Sequence, residues 1–534
     1  MAPRRRTHMR CFKLPAGLRS LVLLLLLNGL VVASARAEFP SSVPVTGGTV
    51  AGVRTNELTV FKGIPFAAPP VGPLRWRSPQ PVVPWTGVRP AEEFGPSPQQ
   101  NPFVALMLGV PQKFSEDCLY LNVWTPASNR TAKLPVMVWI YGGAFSSGST
   151  AVPLYDGAKL ATRGVVVVSV AYRVGVFGFL AHPELTRAGE KGNFGLRDQI
   201  AGLEWVRANI AGFGGDPGQI TIFGESAGGE SVSLLVNCPR AKGLFHRAIA
   251  ESGALFAPPK RAAEAGHLSP TLALAELAGA KLFADLGATN LAAARALSTA
   301  QVMRAAFTGW PCVEDELLPA DPHGHFQAGR ANETPILVGF NSDDGAMFVP
   351  GGRRESDFVD YVRNGFGDQA ETVLGLYPHA GRDEAGRSAK DLVRDLIFAW
   401  PAWCWAGLQA ERNHHPAYVY YFDYPSRNRT GGAGHAAELA YVFGHVGHPN
   451  PVQAELSRLM GGYWVNFAKT GDPNGPGLPP WHPFRAAAPA VLHFTDQTAM
   501  APAPNQPQMR ALDAYFAWRR QTAATGARNA QAGR

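Results

Sequence analysis

Ser226 stands in the run Phe223-Gly224-Glu225-Ser226-Ala227-Gly228-Gly229. Small residues on either side of a serine let the backbone turn sharply enough for the hydroxyl to stand clear of the main chain, as a nucleophile must. The G-x-S-x-G string alone arises by chance in a chain with 58 glycines, and the competing reading is a serine that N-caps a helix after a tight turn. Context favours the nucleophile. A short apolar run, Ile220 to Phe223, leads into it, and about 80 residues upstream a glycine loop, Trp139-Ile140-Tyr141-Gly142-Gly143-Ala144-Phe145, closes an earlier apolar run. Acyl transfer needs N–H donors aimed at the developing oxyanion, and the backbone supplies them only where side chains are small. Gly143, Ala144 and Ala227 are the expected donors.

These residues need a frame that brings strand ends together. Leu134 to Tyr141 and Gly164 to Ala171 are continuous apolar runs, the pattern of strands buried on both faces. Gln199 to Ala211 has apolar residues at helical spacing, followed by the turn Gly214-Gly215-Asp216-Pro217-Gly218 and the strand Ile220 to Phe223. Phe245 to Glu251, Pro335 to Phe340 and Ala417 to Phe422 are further strand candidates, with helical stretches between them and near Met509 to Gln521. The alternation predicts an α/β fold with a large, mostly parallel central sheet and helices on both faces.

With 534 residues, 46% apolar and 17% charged, the chain buries a large core, and residues 38–521 read as one domain. Residues 1–37 read as an export signal cleaved after about Ala37: a basic lead-in, an apolar run from Leu21 to Val32, and Ala35-Arg36-Ala37. That run is broken by Asn28 and Gly29 and falls short of the roughly 20 residues that span a bilayer, so no stable membrane anchor is expected. The expected location is periplasmic or secreted. Seven basic residues of this segment account for all but one of the net charge of +8, which removes the basic surface that nucleic acid binding requires. Residues 522–534 read as a flexible tail. Cys118, Cys238, Cys312 and Cys404 lack any CxxC spacing, so no metal site is expected, and their pairing is left open.

Several ordered segments resemble the type-B carboxylesterase family of α/β-hydrolases: Phe61-Lys62-Gly63-Ile64-Pro65-Phe66-Ala67, Ser115-Glu116-Asp117-Cys118-Leu119-Tyr120-Leu121-Asn122, Gly192 to Pro217, Tyr463-Trp464, and Thr470-Gly471-Asp472-Pro473-Asn474. The resemblance runs from about residue 45 to residue 485. It implies an α/β-hydrolase fold and ester hydrolysis without metal or organic cofactor. It also implies the partners of Ser226, in the chain order serine, acid, histidine. In Asn341-Ser342-Asp343-Asp344-Gly345 the family places an acid, usually glutamate, just before the glycine. Asp344 occupies that position; being one methylene shorter, it requires a closer approach to the imidazole, or Asp343 substitutes. His435, in a flexible glycine loop, is the implied general base, since imidazole exchanges protons near neutral pH. Glu438 and Ser252 resemble positions that buttress the histidine. Two structural ion pairs are implied, Arg75 with Glu116 and Arg173 with Asp198. The mature chain before Cys118 has no cysteine, so the family's usual disulfide cannot form. Asn101 to Phe114 lacks the tryptophan on which cholinesterases stack choline.

The expected function is hydrolysis of a small-molecule carboxylic ester through an acyl-enzyme. The alternatives are a non-catalytic binding protein on the same scaffold and an amide or carbamate hydrolase. Arg427 and Arg429, close in sequence to His435, raise the idea of polycarboxylate esters such as a mycotoxin's side chains, because guanidinium binds carboxylate in a bidentate fork. Acyl and alcohol groups and oligomeric state are left open.

Overall fold

Strands whose apolar residues face both ways must lie inside a sheet covered on both sides, and that is where they are found. The computed structural model describes residues 39–532 apart from 56, 261–267, 308, 315, 350–353 and 426–430. The proposed signal segment therefore lies outside the described residues. The main sheet has eleven strands: β1 (Val53–Thr55), β2 (Leu58–Pro65), β3 (Tyr120–Thr125), β4 (Leu134–Ile140), β5 (Val166–Val170), β6 (Gly215–Glu225), β7 (Arg247–Glu251), β8 (Ile336–Asn341), β9 (Ala417–Phe422), β10 (Ala490–Phe494) and β11 (Ala499–Pro502). Their spatial order is β11-β10-β9-β8-β7-β6-β4-β5-β3-β2-β1. From β5 to β10 the neighbours are parallel, while antiparallel strands close both edges. Val136, Val138, Val166, Val168, Ile222, Ile249 and Leu337 are fully buried within it.

The expected α/β architecture is present, with shifts at element ends. Helix α1 (Phe194–Asn209) begins five residues before its apolar spacing suggests, because Asn193, in the left-handed region at φ 54°, breaks the chain just ahead of it. The turn predicted at Gly214 to Gly218 overlaps the start of β6, which pairs with β4 at Gly215 and again from Ile220 across an irregular register. The last helix, Gln506–Ala532, runs through residues read from sequence as a flexible tail; the alanines, glutamine and arginines there are good helix formers. No helix among the described residues is long and apolar enough to cross a membrane. Cys118, Cys238, Cys312 and Cys404 are all buried and unpaired.

What matters for the site is register. Phe223 pairs with Trp139 and Gly224 with Ile140, so the glycine loop after β4 and the serine turn after β6 leave the sheet side by side. β8 and β9 pair through Asn341 and Phe422 at the same edge, and the loops following them continue the contact. Asp343 and Gly434 form a parallel bridge. In parallel sheets, the carboxyl ends of the strands are where ligands bind.

Candidate active site

Ser226 occupies the N-cap position of α2 (Ala227–Asn237), yet its side chain makes no capping hydrogen bond. Its backbone, at φ 56° and ψ −125°, lies in a region L-residues rarely adopt. The flanking glycines explain how the turn is possible. A Cβ at residue 228 would lie 2.1 Å from the Ile140 carbonyl oxygen, and one at 224 would lie 2.6 Å from the Gly228 carbonyl. Ser226 itself is half-buried, whereas Glu225 and Ala227 on either side are buried. The capping role weighed for this serine is therefore not the one it plays.

Among the described residues, five of the ten non-glycine residues with positive φ cluster here: Ala144, Phe145, Ser226, Ser252 and Ala436. Backbone strain concentrated at one sheet edge marks a region where geometry outranks conformational ease. In the glycine loop, Gly143 has φ +109° and its carbonyl accepts from the N–H groups of Ser146 and Ser147. That turns the peptide around. Among the described residues, the N–H groups of Gly143, Ala144 and Ala227 donate to no protein acceptor. Ala227 opens α2, where a first-turn N–H has no partner within the helix.

Asp344 and His435 meet: His435 Nδ1 lies 2.9 Å from Asp344 Oδ1. The aspartate, fully buried, has its other oxygen held by the Ser252 hydroxyl at 2.9 Å and the Asn341 backbone N–H at 2.6 Å. Asp343 instead donates its N–H to the Ala433 carbonyl, so Asp344 is the member of the pair that reaches the imidazole. The histidine loop, read from sequence as flexible, is pinned. The Ala433 N–H donates to Ser342 Oγ at 2.8 Å, the Gly434 carbonyl accepts from Asn341 Nδ2 at 2.9 Å, and the imidazole is 8% exposed. Phe398 and Phe348 pack on the ring with centroids at 4.7 and 5.2 Å. Phe398 belongs to a π-helical turn, Asp395–Ala399, whose neighbour Arg394 donates to the Ser342 carbonyl at 3.0 Å.

The two expected buttresses lie one step away from the histidine. Ser252 touches Asp344, and Glu438 accepts from Asn341. The group that does face His435 Nε2 is Glu225, at 3.2 Å. No hydrogen bond joins the Ser226 hydroxyl to the imidazole among the described residues; apo sites often tighten this contact only when substrate is bound. Arg427 and Arg429 lie outside the described residues. Sequence reasoning missed Glu225, Asn341 and Phe398. Glu225 lay inside the quoted motif, and Asn341, a polar residue ending an apolar strand run, was the one signal for its role.

The electrostatics follow from burial. Glu225, Glu251 and Glu438 are buried close enough to affect one another. Burial pushes Glu225 up to about 7, although His435 draws it down. Glu438 is pushed up to about 8 by burial and then by the charges of Glu225 and Asp344. Burial raises Glu230 and Glu251 well above the ordinary range. For His435, burial favours the neutral ring, but the charge of Glu225 and the hydrogen bond and charge of Asp344 more than offset it, so its pKa is raised. Glu225 and His435 together hold protons more tightly than either would in water. No cluster of metal-ligating side chains occurs among the described residues.

The ion pairs are as expected. Arg75 Nη2 is 2.6 Å from Glu116 Oε1, and Arg173 Nη2 is 2.7 Å from Asp198 Oδ1, both buried.

Comparison with known proteins accords with this geometry. Residues 40–512 match the model of the carboxylesterase family. The para-nitrobenzyl esterase of Bacillus subtilis (strain 168) is 37% identical over 452 residues, covering 80% of this chain and 89% of that protein. The fumonisin B1 esterase of Sphingopyxis macrogoltabida is 35% identical over 473 residues, covering 83% and 84%. A solved structure of PNB esterase superposes with a TM-score of 0.78 at 33% identity, covering 88% of this chain and 99% of that one. The chain belongs to the carboxylesterase family and shares its α/β-hydrolase fold.

Proposed function

We propose that this chain hydrolyses small carboxylic esters through an acyl-enzyme on Ser226. The Ser226 hydroxyl adds to the ester carbonyl while His435 Nε2 takes its proton; the carbonyl electrons move onto oxygen, and the N–H groups of Gly143, Ala144 and Ala227 receive that charge. Collapse expels the alcohol, which leaves with the proton held by His435. Water then repeats the sequence on the acyl-enzyme, returning Ser226 and releasing the acid. Asp344, on Nδ1, fixes the tautomer that exposes Nε2 and stabilises the imidazolium.

The observation that carries the reading is Ser226 itself: a strained serine at a helix N-cap whose hydroxyl caps nothing, at the same sheet edge as an imidazole already held by a carboxylate. Para-nitrobenzyl esterase and fumonisin B1 esterase as relatives support ester over amide or carbamate chemistry. Export through residues 1–37 belongs to the same reading, and N-terminal sequencing of the protein from the medium or periplasm checks it.

The test is hydrolysis of short and medium-chain p-nitrophenyl esters by the purified protein beside Ser226→Ala, with mass spectrometry after a fluorophosphonate. Turnover lost in the variant and a single adduct on Ser226 are expected. No turnover and no adduct would favour the non-catalytic binding scaffold. The polycarboxylate idea rests on Arg427 and Arg429; an unchanged preference for anionic over neutral esters after neutralising both removes it.

A further inference from the structure

Asn341 ends β8, is fully buried, and takes no part in the bond making proposed above. Its hydrogen bonds nevertheless reach both loops that carry the acid and the base. Its backbone N–H donates to Asp344 Oδ2 at 2.6 Å, and its side-chain Nδ2 donates to the Gly434 carbonyl at 2.9 Å and to Glu438 Oε2 at 2.5 Å. Gly434 immediately precedes His435. One residue thus sets the position of the carboxylate through its main chain and of the imidazole's backbone through its side chain.

The chemistry of the position is narrow. A carboxamide donates two hydrogens without bringing charge, and both go to acceptors in a region already holding Glu225, Glu251, Glu438 and Asp344. Leucine would match its shape with no donor. Aspartate would bring another carboxylate against Glu438. Aspartate at 344 makes the tether matter, because a shorter acid requires the histidine loop to come to it, and the bond to the Gly434 carbonyl draws that loop in.

We propose that Asn341 is a positioning residue for the His435–Asp344 pair: its amide clasps the histidine loop to the acid loop, and Glu438 acts on His435 by holding that amide in place. The inference rests on the esterase reading. It assigns Glu438 a route of action that direct contact with the ring would not require.

The experiment measures Asn341→Leu and Asn341→Ser in the full chain with p-nitrophenyl acetate, each normalised by fluorophosphonate titration so that rates refer to competent Ser226. kcat per titrated site should fall on the order of 100-fold, the scale of a small misplacement of reacting groups, with KM within about twofold. The acid limb of kcat/KM should move to lower pH, because a loosened Asp344 contact no longer holds the His435 pKa up. A role confined to folding would lower the titratable fraction and the urea midpoint only. If kcat per titrated site and the pH limb then stay at the unsubstituted values, the proposal is overturned. Should the leucine variant not fold, the serine variant gives the same two readings. Glu438→Gln, which keeps an acceptor for Asn341, should retain the rate that Glu438→Leu loses; equal losses would likewise overturn the proposal. An unsubstituted protein without turnover would sink the esterase reading and this proposal with it, whereas unaltered variants of an active protein sink this proposal alone.

Discussion

Arg173 and Asp198 meet as a buried pair in which the backbone N–H, Nε and Nη2 of the arginine all reach the aspartate, at 3.0, 2.8 and 2.7 Å. Glu225, Glu251 and Glu438 are equally buried at the carboxyl ends of the parallel strands, but Glu251 Oε2 and Glu438 Oε1 accept no hydrogen bond among the described residues, and Glu225 Oε1 has the His435 Nε2 at 3.2 Å beside it. The first cluster matches each charge with an opposite one. The second gathers like groups and leaves oxygens free, with one imidazole among them. Burying an unmatched carboxyl favours its protonated form, so the second cluster is a proton store beside the proposed base. A pair of opposite charges holds a fold together, while a group of like charges keeps its protonation state adjustable.

Four measurements break or sharpen that contrast. The largest effect is expected for Asp344→Asn, which keeps the shape but presents the wrong hydrogen-bond partner to His435 Nδ1: kcat should fall by about 10⁴-fold while the urea midpoint stays near that of the unsubstituted protein. Arg173→Leu should do the reverse. It leaves Asp198 buried without its partner, at a loss of about 3–5 kcal/mol in stability by chemical denaturation, while kcat per titrated active site is retained in the fraction that folds. If both variants lost activity and stability in the same proportion, the division between the clusters would be wrong.

Glu225→Gln should separate charge from packing. Glu225 is the leading group raising the His435 pKa, and the base works only when the ring is neutral, so the acid limb of kcat/KM should move to lower pH in the variant. A limb that stays put would show that Glu225 is neutral whenever the enzyme works. The smallest effect is on stability against pH. Glu225 and Glu438 have folded pKa values raised to about 7 and about 8 from 4.5, and that of His435 is raised as well. Between about pH 7 and 8.5 the folded state therefore binds more protons than the unfolded one, and stability falls as pH rises through this window. Histidines with lowered pKa, such as His182 and His246, are neutral in both states there. A urea midpoint that rises over this interval would contradict the proton store.

How much of this was legible in the sequence depended on distance along the chain. Ser226, Ala227 and their flanking glycines form one local turn, and Gly143 and Ala144 another, so small residues next to strand-like runs were enough to find them. Asp344 and His435 are 91 residues apart; only the pairing of β8 with β9 brings them together, and resemblance to a family supplied what local pattern could not. The lateral contacts were beyond reach. Whether Glu225 faces the imidazole, or Asn341 the histidine loop, depends on where a side chain points once the sheet has formed. The π-helical turn at Asp395–Ala399, which presents Phe398 to His435, has no periodicity that separates it from an ordinary helix. The predicted signal segment and Arg427 and Arg429 lie outside the described residues.

The four buried, unpaired cysteines bear on how the molecule is made. With no cross-link among the described residues joining distant parts of the chain, their folding does not have to wait for an oxidant or for the reshuffling of wrong partners. Production in a reducing cytoplasm should then yield the same active protein as production in an oxidising compartment, and millimolar dithiothreitol should leave its denaturation curve where it was.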